Sequence, residues 1–149
     1  VEIIRDVLNY LDPKKFDNGI YAQYDAVDIL ITLFNELNLK LFKVNETNLL
    51  GNQVEATYRT LEVPFSDSLQ KSLEDFMKEV EMLEYPEVLP IRLKRFDNQM
   101  NYLFGLTDVA DEINLGEVRY KLKSVLIKEG KTIDSGHYVA CVKTGEDEW

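Results

Sequence analysis

The chain has 149 residues, of which 45% are hydrophobic and 11% aromatic, a composition typical of one globular domain with a sizeable core. Its 27 acidic and 17 basic side chains give a net charge of −10, so phosphate backbones are repelled and no nucleic-acid partner is expected. No apolar run approaches the ~20 residues of a membrane span, so no membrane partner is expected either. A basic protein partner fits this charge, and a solvated surface is the alternative.

The chain has one cysteine, Cys141, and one histidine, His137. A single cysteine excludes an internal disulfide and is typical of a reducing compartment, so a cytoplasmic or nuclear location is predicted. The two residues are too few for a structural zinc site built from cysteine and histidine. No metal and no cofactor are therefore expected.

Helical spacing marks the first part of the chain. Apolar residues recur at helical intervals up to Asp12-Pro13, which ends the first predicted helix, and residues 16–21 are predicted to form a loop. A second helix is predicted over about residues 25–37, because its apolar residues form one wide face. These residues are Ala26, Ile29, Leu30, Leu33, Phe34 and Leu37.

The pattern then changes to short alternating segments that predict strands. Asp67, with Gln70 three residues later, has the spacing of a capping box and predicts the start of a helix. That helix is expected to end near Leu83. The predicted strands before it cover residues 39–44, 54–58 and 61–65.

The second half of the chain is mostly strand. Residues 89–94 alternate between apolar and polar, and Pro90 favours an edge or a bulge because it lacks an N–H. One strand is predicted over residues 120–127, a polar loop over 130–135, and a last strand from His137. Helices first and an antiparallel sheet afterwards predict an α+β fold.

His137 is the main candidate for chemistry. It follows Gly136 at the start of a predicted strand, where a rigid backbone would fix the imidazole and the glycine would leave room for a substrate backbone. Imidazole takes up and releases a proton near neutral pH, so His137 is a candidate general base for a thiol nucleophile. A structural or merely exposed histidine is the alternative.

Cys141 is not a suitable nucleophile for this base. Four residues of strand separate its Cα from that of His137 by ~13 Å, whereas a thiol and its base need to approach to ~3 Å. Cys141 is therefore predicted to be a small buried hydrophobic residue. No Cys–His pair is closed within these 149 residues.

Two carboxylates lie at the start of the second predicted helix. Asp25 and Asp28 occupy the amino-terminal turn, where the helix dipole stabilises negative charge. Binding of a basic peptide is the functional alternative to this stabilising role.

Several segments are best interpreted together. Residues 23–30 read Gln-Tyr-Asp-Ala-Val-Asp-Ile-Leu, and residues 85–96 read Tyr-Pro-Glu-Val-Leu-Pro-Ile-Arg-Leu-Lys-Arg-Phe. Residues 120–126 read Tyr-Lys-Leu-Lys-Ser-Val-Leu, and residues 135–140 read Ser-Gly-His-Tyr-Val-Ala. The order and spacing of these segments, with Glu-Trp at 148–149, resemble the ubiquitin-specific proteases.

The resemblance implies a papain-like cysteine peptidase with thumb, palm and fingers, in which a Cys, a His and an Asp or Asn cleave the bond after the carboxyl-terminal glycine of ubiquitin. The expected partner is ubiquitin or a ubiquitinated protein. Residues 1–149 would form a partial catalytic domain, with thumb-like helices at 1–38 and fingers and palm at 39–149.

The resemblance also implies roles for individual residues. His137 matches the general base, and Gly136 would line the narrow channel for the Gly-Gly end of ubiquitin. Carboxylates would meet the basic tail of ubiquitin through charge-assisted hydrogen bonds, and residues 128–134 would form a mobile flap beside the channel. The positions implied to bind the tail are Asp25, Asp28, Ser135, Gly136 and Tyr138.

The chain also departs from the family pattern. The Asn-x-Gly-Asn-x-Cys nucleophile segment that precedes the first motif is absent from residues 1–149, and the third member of the triad is expected beyond Trp149. Residues 41–61 lack the paired cysteines of the family's fingers, so zinc-free, shortened fingers are expected. The connection between Leu83 and Val88 is also shorter than the family's.

Three functions remain open from the sequence. The first is a thiol-dependent deubiquitinase whose nucleophilic cysteine lies outside this chain. The second is a non-catalytic ubiquitin-binding scaffold domain, and the third is a papain-like enzyme that acts on another ubiquitin-like modifier.

Overall fold

In the computed structural model the chain divides into two compact units, residues 1–40 and 41–149. The first predicted helix and the loop at 16–21 lie outside the described residues. The division into a thumb at 1–38 and fingers with palm at 39–149 stays a prediction. The structure describes residues 26–37, 42–99, 101–130, 136–145 and 148–149.

In the first unit, helix α1 spans Ala26–Glu36. Thr32 is its buried residue, and the Thr32 hydroxyl donates a hydrogen bond of 2.9 Å to the backbone carbonyl oxygen of Asp28, one turn earlier. This bond satisfies a hydroxyl that would otherwise be costly to bury. The prediction of a second helix over residues 25–37 is confirmed for the described part.

The second unit consists mainly of short strands. Its strands at 54–58 and 61–65 were predicted, whereas the strand predicted at 39–44 extends three residues further. Its elements are β1 Phe42–Thr47, β2 Gln53–Tyr58, β3 Leu61–Pro64, α2 Leu69–Phe76, β4 Val80–Glu84, β5 Ile91–Lys94, β6 Glu112–Leu115, β7 Val118–Lys121, β8 Ser124–Glu129 and β9 His137–Val142.

Three antiparallel strands in the order β2-β1-β4 form the largest sheet of this unit. The turn between β1 and β2 is closed by the side chain of Asn48, which accepts hydrogen bonds from the amides of Leu50 at 2.9 Å and Asn52 at 3.0 Å. Gly51 follows with φ of 81°, a left-handed conformation that glycine adopts at low cost. A loop of this length, residues 48–52, is among the common connections of β-hairpins.

The core of the second unit joins this sheet to its neighbours. Burial of each large apolar side chain contributes about 1.5–3 kcal/mol relative to exposure, so this cluster is the main source of stability within residues 41–149. Its buried apolar members are Phe42, Val44, Leu61, Val63, Leu69, Leu73, Met82, Ile113 and Leu115.

Strand β4 corrects the prediction that the helix after Asp67 continues to Leu83. Helix α2 ends at Phe76, and Val80–Glu84 pairs with β1. Val80 and Met82 alternate with acidic residues, so both helical and strand spacing fit this short segment. The strand forms because it buries Met82, at 8% exposure, on the face that Val44 occupies.

The amino-terminal cap of α2 also differs from the prediction. The cap is Ser68, whose hydroxyl accepts a hydrogen bond of 3.2 Å from the amide of Lys71. Asp67 is one residue too early, because its carbonyl oxygen accepts a hydrogen bond of 2.7 Å from the amide of Asp108. Gln70 reaches the backbone of Asn114 in β6, accepting from its amide at 2.9 Å and donating to its carbonyl at 3.2 Å. The predicted capping box is therefore wrong.

Strands β3 and β5 form a parallel pair, which departs from the predicted all-antiparallel sheet. Leu61 and Val63 of β3 are 1% and 0% exposed, which explains why this pair is attached to the core. Pro90 lies just before β5, and its carbonyl oxygen accepts a hydrogen bond of 2.8 Å from the amide of Leu61. Its missing N–H is therefore not required inside the ladder.

The remaining strands form two antiparallel hairpins, β6–β7 and β8–β9. The single strand predicted over residues 120–127 is therefore two strands, because the chain changes partners at Leu122 and Lys123. Leu122 donates its amide to the carbonyl of Asp111 at 2.8 Å, and Lys123 accepts from the amide of Lys143 at 2.9 Å. Alternation of side chains continues through this exchange of partners, so the sequence pattern does not reveal it.

Candidate functional site

His137 is the first residue of β9 and lies opposite Glu129 of β8. Its side chain is exposed. The predicted position at the mouth of a strand is therefore confirmed, and the residue is open to solvent. A β-hairpin fixes the backbone on which the ring stands, as a proton-transfer group requires.

Gly136 precedes His137 with φ of 156°. A Cβ at this position would collide with the backbone carbonyl oxygen of Glu129 and would lie 3.4 Å from Cε of Lys128. The hairpin itself therefore explains why glycine is needed here, since only glycine lets the two backbones approach this closely. Its role in a substrate channel stays a prediction.

Two predicted tail-binding residues flank this pair, Ser135 before it and Tyr138 after it. Tyr138 is half-buried and lies opposite Lys128 in the hairpin. Ser135 lies outside the described residues. Lys128 and Glu129 belong to β8, so the predicted flap over residues 128–134 is wrong at these two positions. Its residues 131–134 lie outside the described residues.

Asp28 lies in the first turn of α1 and is exposed. An exposed carboxylate there is stabilised by the helix dipole and is accessible to a basic ligand. Asp25 lies outside the described residues. The contact of both carboxylates with a ubiquitin tail stays a prediction.

Cys141 belongs to the same strand as His137, four positions further along, and lies opposite Val125. Strand geometry separates the Cα atoms of Cys141 and His137 by ~13 Å, so the thiol does not reach the imidazole. Cys141 is half-buried, whereas a small buried hydrophobic residue was predicted. In the described part of the chain, Cys141 is therefore not the nucleophile of His137.

The structure joins two of the sequence motifs directly. Tyr120 of β7 donates a hydrogen bond of 2.9 Å from its hydroxyl to the carbonyl oxygen of Pro86, which links the segment at 120–126 to the segment at 85–96. Burial, with a smaller contribution from Tyr85, raises the pKa of Tyr120 above its usual 10.0. The hydroxyl therefore keeps its proton at neutral pH and continues to donate this bond.

One ion pair at the other end of the His137 hairpin was not predicted from the sequence. Nζ of Lys143, the residue after β9, lies 2.6 Å from Oδ1 of Asp111. The two residues are 32 positions apart, so no local pattern marks them as partners. The only sequence signal is a lysine placed between an apolar strand and an acidic turn.

Within the described ranges, no three His, Cys, Asp or Glu side chains gather as a metal ion would require. Of the helices that the structure describes, none combines the length and the apolar character needed to cross a membrane. The expectations of no metal and no nucleic-acid partner stay predictions.

Comparison with solved structures gives the fold. An essential yeast splicing factor superposes with a TM-score of 0.69 at 19% identity, covering 96% of this chain and 45% of that protein. The SAGA Ubp8/Sgf11/Sus1/Sgf73 DUB module superposes with a TM-score of 0.60 at 18% identity, covering 72% of this chain and 30% of that one. The predicted α+β papain-like fold is confirmed.

Sequence comparison extends this to the family. Mouse ubiquitin carboxyl-terminal hydrolase 17-like protein B is 34% identical over 82 residues, covering 48% of this chain and 18% of that protein. Ubiquitin carboxyl-terminal hydrolase 10 of Saccharomyces cerevisiae is 31% identical over 85 residues, covering 49% of this chain and 11% of that protein. The chain thus aligns with less than a fifth of the length of these relatives. Because the ubiquitin carboxyl-terminal hydrolase family model matches residues 4–149, the chain belongs to the ubiquitin carboxyl-terminal hydrolase family.

Proposed function

We propose that this protein is a thiol-dependent deubiquitinase that hydrolyses the peptide or isopeptide bond after the carboxyl-terminal glycine of ubiquitin. The observation that carries the proposal is the exposed His137 at the start of β9, in a chain that belongs to this family. A domain that only bound ubiquitin would have no chemical need for an imidazole in this position.

In the proposed reaction, His137 takes the proton of a cysteine thiol supplied from outside residues 1–149. The thiolate attacks the carbonyl carbon of the terminal glycine, and His137 returns the proton to the leaving amine. Water then hydrolyses the thioester and releases ubiquitin with a free carboxylate. Cys141 takes no part, because strand geometry holds it ~13 Å from His137.

Residues of both units are proposed to bind the tail of ubiquitin. Asp28 is exposed at the start of α1, where its carboxylate suits a basic tail, and Asp25 is proposed to act beside it. Ser135, Gly136 and Tyr138 are proposed to line the channel around His137. The net charge of −10 favours the same basic ligand.

The test uses the full-length protein and ubiquitin with an electrophilic carboxyl terminus. The expected result is a covalent adduct on one cysteine, together with hydrolysis of a fluorogenic ubiquitin amide. Cys141→Ser is the matched control and should leave both signals unchanged. Absence of adduct and hydrolysis from the wild-type protein would refute the proposal, as would loss of the adduct in Cys141→Ser.

A non-catalytic ubiquitin-binding scaffold is the second candidate. It is favoured by the single cysteine of residues 1–149, which is too far from His137 to serve as its nucleophile. Binding of unmodified ubiquitin without covalent capture would support this candidate over the first. Faster turnover of another ubiquitin-like modifier than of ubiquitin would instead assign the enzyme to that modifier.

The proposed location is the cytoplasm or the nucleus, since a chain with one cysteine suits a reducing compartment. Microscopy of the tagged full-length protein tests this, and secretion would contradict it.

A further inference from the structure

Two hairpins of the second unit meet at their open ends. Asp111 precedes β6, and its carbonyl oxygen accepts the amide of Leu122 at 2.8 Å, which extends the β6–β7 ladder by one position. Lys143 follows β9, and its amide donates to the carbonyl oxygen of Lys123 at 2.9 Å, which extends the β8–β9 ladder in the same way. Asp111 and Lys143 are therefore the root residues of the two hairpins.

Their side chains join the two roots. Nζ of Lys143 lies 2.6 Å from Oδ1 of Asp111, and the Lys143 side chain is 10% exposed, against 60% for Asp111. In the other ion pairs recorded among the described residues, the basic side chain is at least 45% exposed. The Lys143 ammonium is thus poorly hydrated, and removing Asp111 would leave it without this compensation.

Trp149 covers the same ammonium from another side. Nζ of Lys143 lies 5.2 Å from the centroid of the Trp149 ring, within the range of a cation–π interaction. Next to the ring, the carbonyl oxygen of Glu148 accepts a hydrogen bond of 3.0 Å from the amide of Thr144. The ion pair therefore has a carboxylate on one side and an indole on another.

We propose that the Asp111–Lys143 ion pair, covered by Trp149, is a positioning device that sets the orientation of the β8–β9 hairpin and thereby of the His137 imidazole. The positioning role rests on the proposed function. Among the described residues, β8–β9 pairs with no other strand, so no third strand fixes its orientation and the ion pair at its root can contribute to it.

Because the hairpin is long, a small rotation at its root residues would change the position of His137 at its far end. His137 lies six residues of strand from Lys143, or ~20 Å. At that distance a rotation of about 5° at the root moves the far end by ~1.7 Å, and a misplacement of about 1 Å can lower turnover by roughly 10²-fold. Asp111 and Lys143 would therefore influence the reaction without contacting the substrate.

The test compares Asp111→Asn and Lys143→Met in the full-length protein, with Glu112→Gln as the matched control. Glu112 is next to Asp111 and pairs with Arg119 and Lys121, but these pairs are exposed at 3.4 and 3.5 Å, so their loss should have little effect. The expected result for Asp111→Asn is a kcat roughly 10²-fold lower at unchanged KM. Lys143→Arg should retain activity because the ion pair is kept.

Amide hydrogen exchange of β8 and β9 provides a second measurement that needs no activity. Asp111→Asn should accelerate this exchange about tenfold, whereas Glu112→Gln should leave it unchanged. The double variant Asp111→Asn/Lys143→Met should recover part of the protection, because it also removes the poorly hydrated ammonium with which Asp111 pairs.

Unchanged exchange in Asp111→Asn would overturn the proposal whether or not the protein is a deubiquitinase. Faster exchange with a raised KM and unchanged kcat would also overturn it, because the pair would then act on substrate binding. An inactive wild-type protein would refute the proposed function and the positioning role that rests on it, while the exchange result would still decide whether the pair anchors the hairpin.

Discussion

The hairpins β1–β2 and β8–β9 have the same antiparallel design but are held in different ways. In β1–β2, Phe42 and Val44 are 1% and 0% exposed, and the sheet is extended by β4. In β8–β9, none of the strand residues is buried. Backbone hydrogen bonds set the register of its two strands. The proposed orientation of the hairpin rests on the contact between Asp111 and Lys143 at its root.

The two hairpins are therefore expected to differ in what their side chains control, namely the free energy of unfolding or the rate of turnover. Burial of apolar side chains makes β1–β2 part of the folding core, so its residues should affect the free energy of unfolding. The β8–β9 hairpin presents His137 to solvent, so its exposed side chains should affect turnover with smaller effects on unfolding. Four predictions can break or sharpen this contrast.

The largest expected effect is on turnover. His137→Ala should lower kcat for a fluorogenic ubiquitin substrate by about 10²–10⁴-fold, because proton transfer to and from the thiol is lost. The melting temperature should hardly change, since the side chain is exposed. An unchanged turnover combined with a large drop in melting temperature would show that His137 is structural and that the contrast is wrong.

The next effect is on unfolding. Phe42→Ala should lower the free energy of unfolding by about 3–5 kcal/mol, because it empties a fully buried position. Leu126→Ala in β8 should change it by less than about 0.5 kcal/mol, since Leu126 is 49% exposed. Urea unfolding of both variants measures the difference. Equal losses would mean that β8–β9 carries a core of its own.

The glycines of the two hairpins give a smaller, paired prediction. Gly51→Ala should cost about 1–2 kcal/mol, because φ of 81° is unfavourable for alanine but the space around its Cβ is open. Gly136→Ala should cost more, since the new Cβ also collides with the Glu129 carbonyl oxygen. It should also reduce turnover by moving His137. If Gly51→Ala is the more costly substitution, the close approach at Gly136 is not a constraint.

The smallest effect concerns alkaline pH in the β1–β2 hairpin. Tyr58 donates from its hydroxyl to both carboxylate oxygens of Glu46 at 2.8 and 2.9 Å, which raises the pKa of Tyr58 above its usual 10.0, with burial contributing less. A raised folded-state pKa stabilises the fold below pH ~10, and this contribution is lost as pH rises through the folded-state value.

The urea midpoints of wild-type protein and Tyr58→Phe should therefore differ at pH 8 and converge at alkaline pH. A difference that persists after Tyr58 has ionised would show that this hydrogen bond does not contribute as inferred.

Elements set by neighbouring residues in the sequence were predicted, whereas elements set by contacts between distant residues were not. Helix α1, strands β2 and β3, and the strand position of His137 were predicted because local periodicity and β-propensity indicate the elements that form. The helix predicted up to Leu83 was wrong, since residues 80–84 fit both spacings and pairing with β1 decides between them. The cap moved from Asp67 to Ser68 because a bond to Asp108, 41 residues away, occupies the earlier position.

The candidate site was predicted in part. The block at 135–140 gave His137 as the candidate base, and its role stays a prediction. The structure places Cys141 four positions along the same strand, which is the arrangement from which Cys141 was excluded as its nucleophile. From the sequence, Gly136 was expected to leave room for a substrate backbone, whereas the structure shows that it leaves room for the Glu129 carbonyl oxygen. This approach depends on the register of the hairpin, which local sequence does not reveal. The Asp111–Lys143 pair was missed for the same reason.

The sequence by itself determined the family, the α+β class and the candidate base, because those depend on residue types in a fixed local order. The tertiary structure decided which strands pair, where α2 ends, why residue 136 is glycine and how the His137 hairpin is anchored at its root. These features depend on contacts between residues far apart in the chain, where burial and pairing outweigh local propensity.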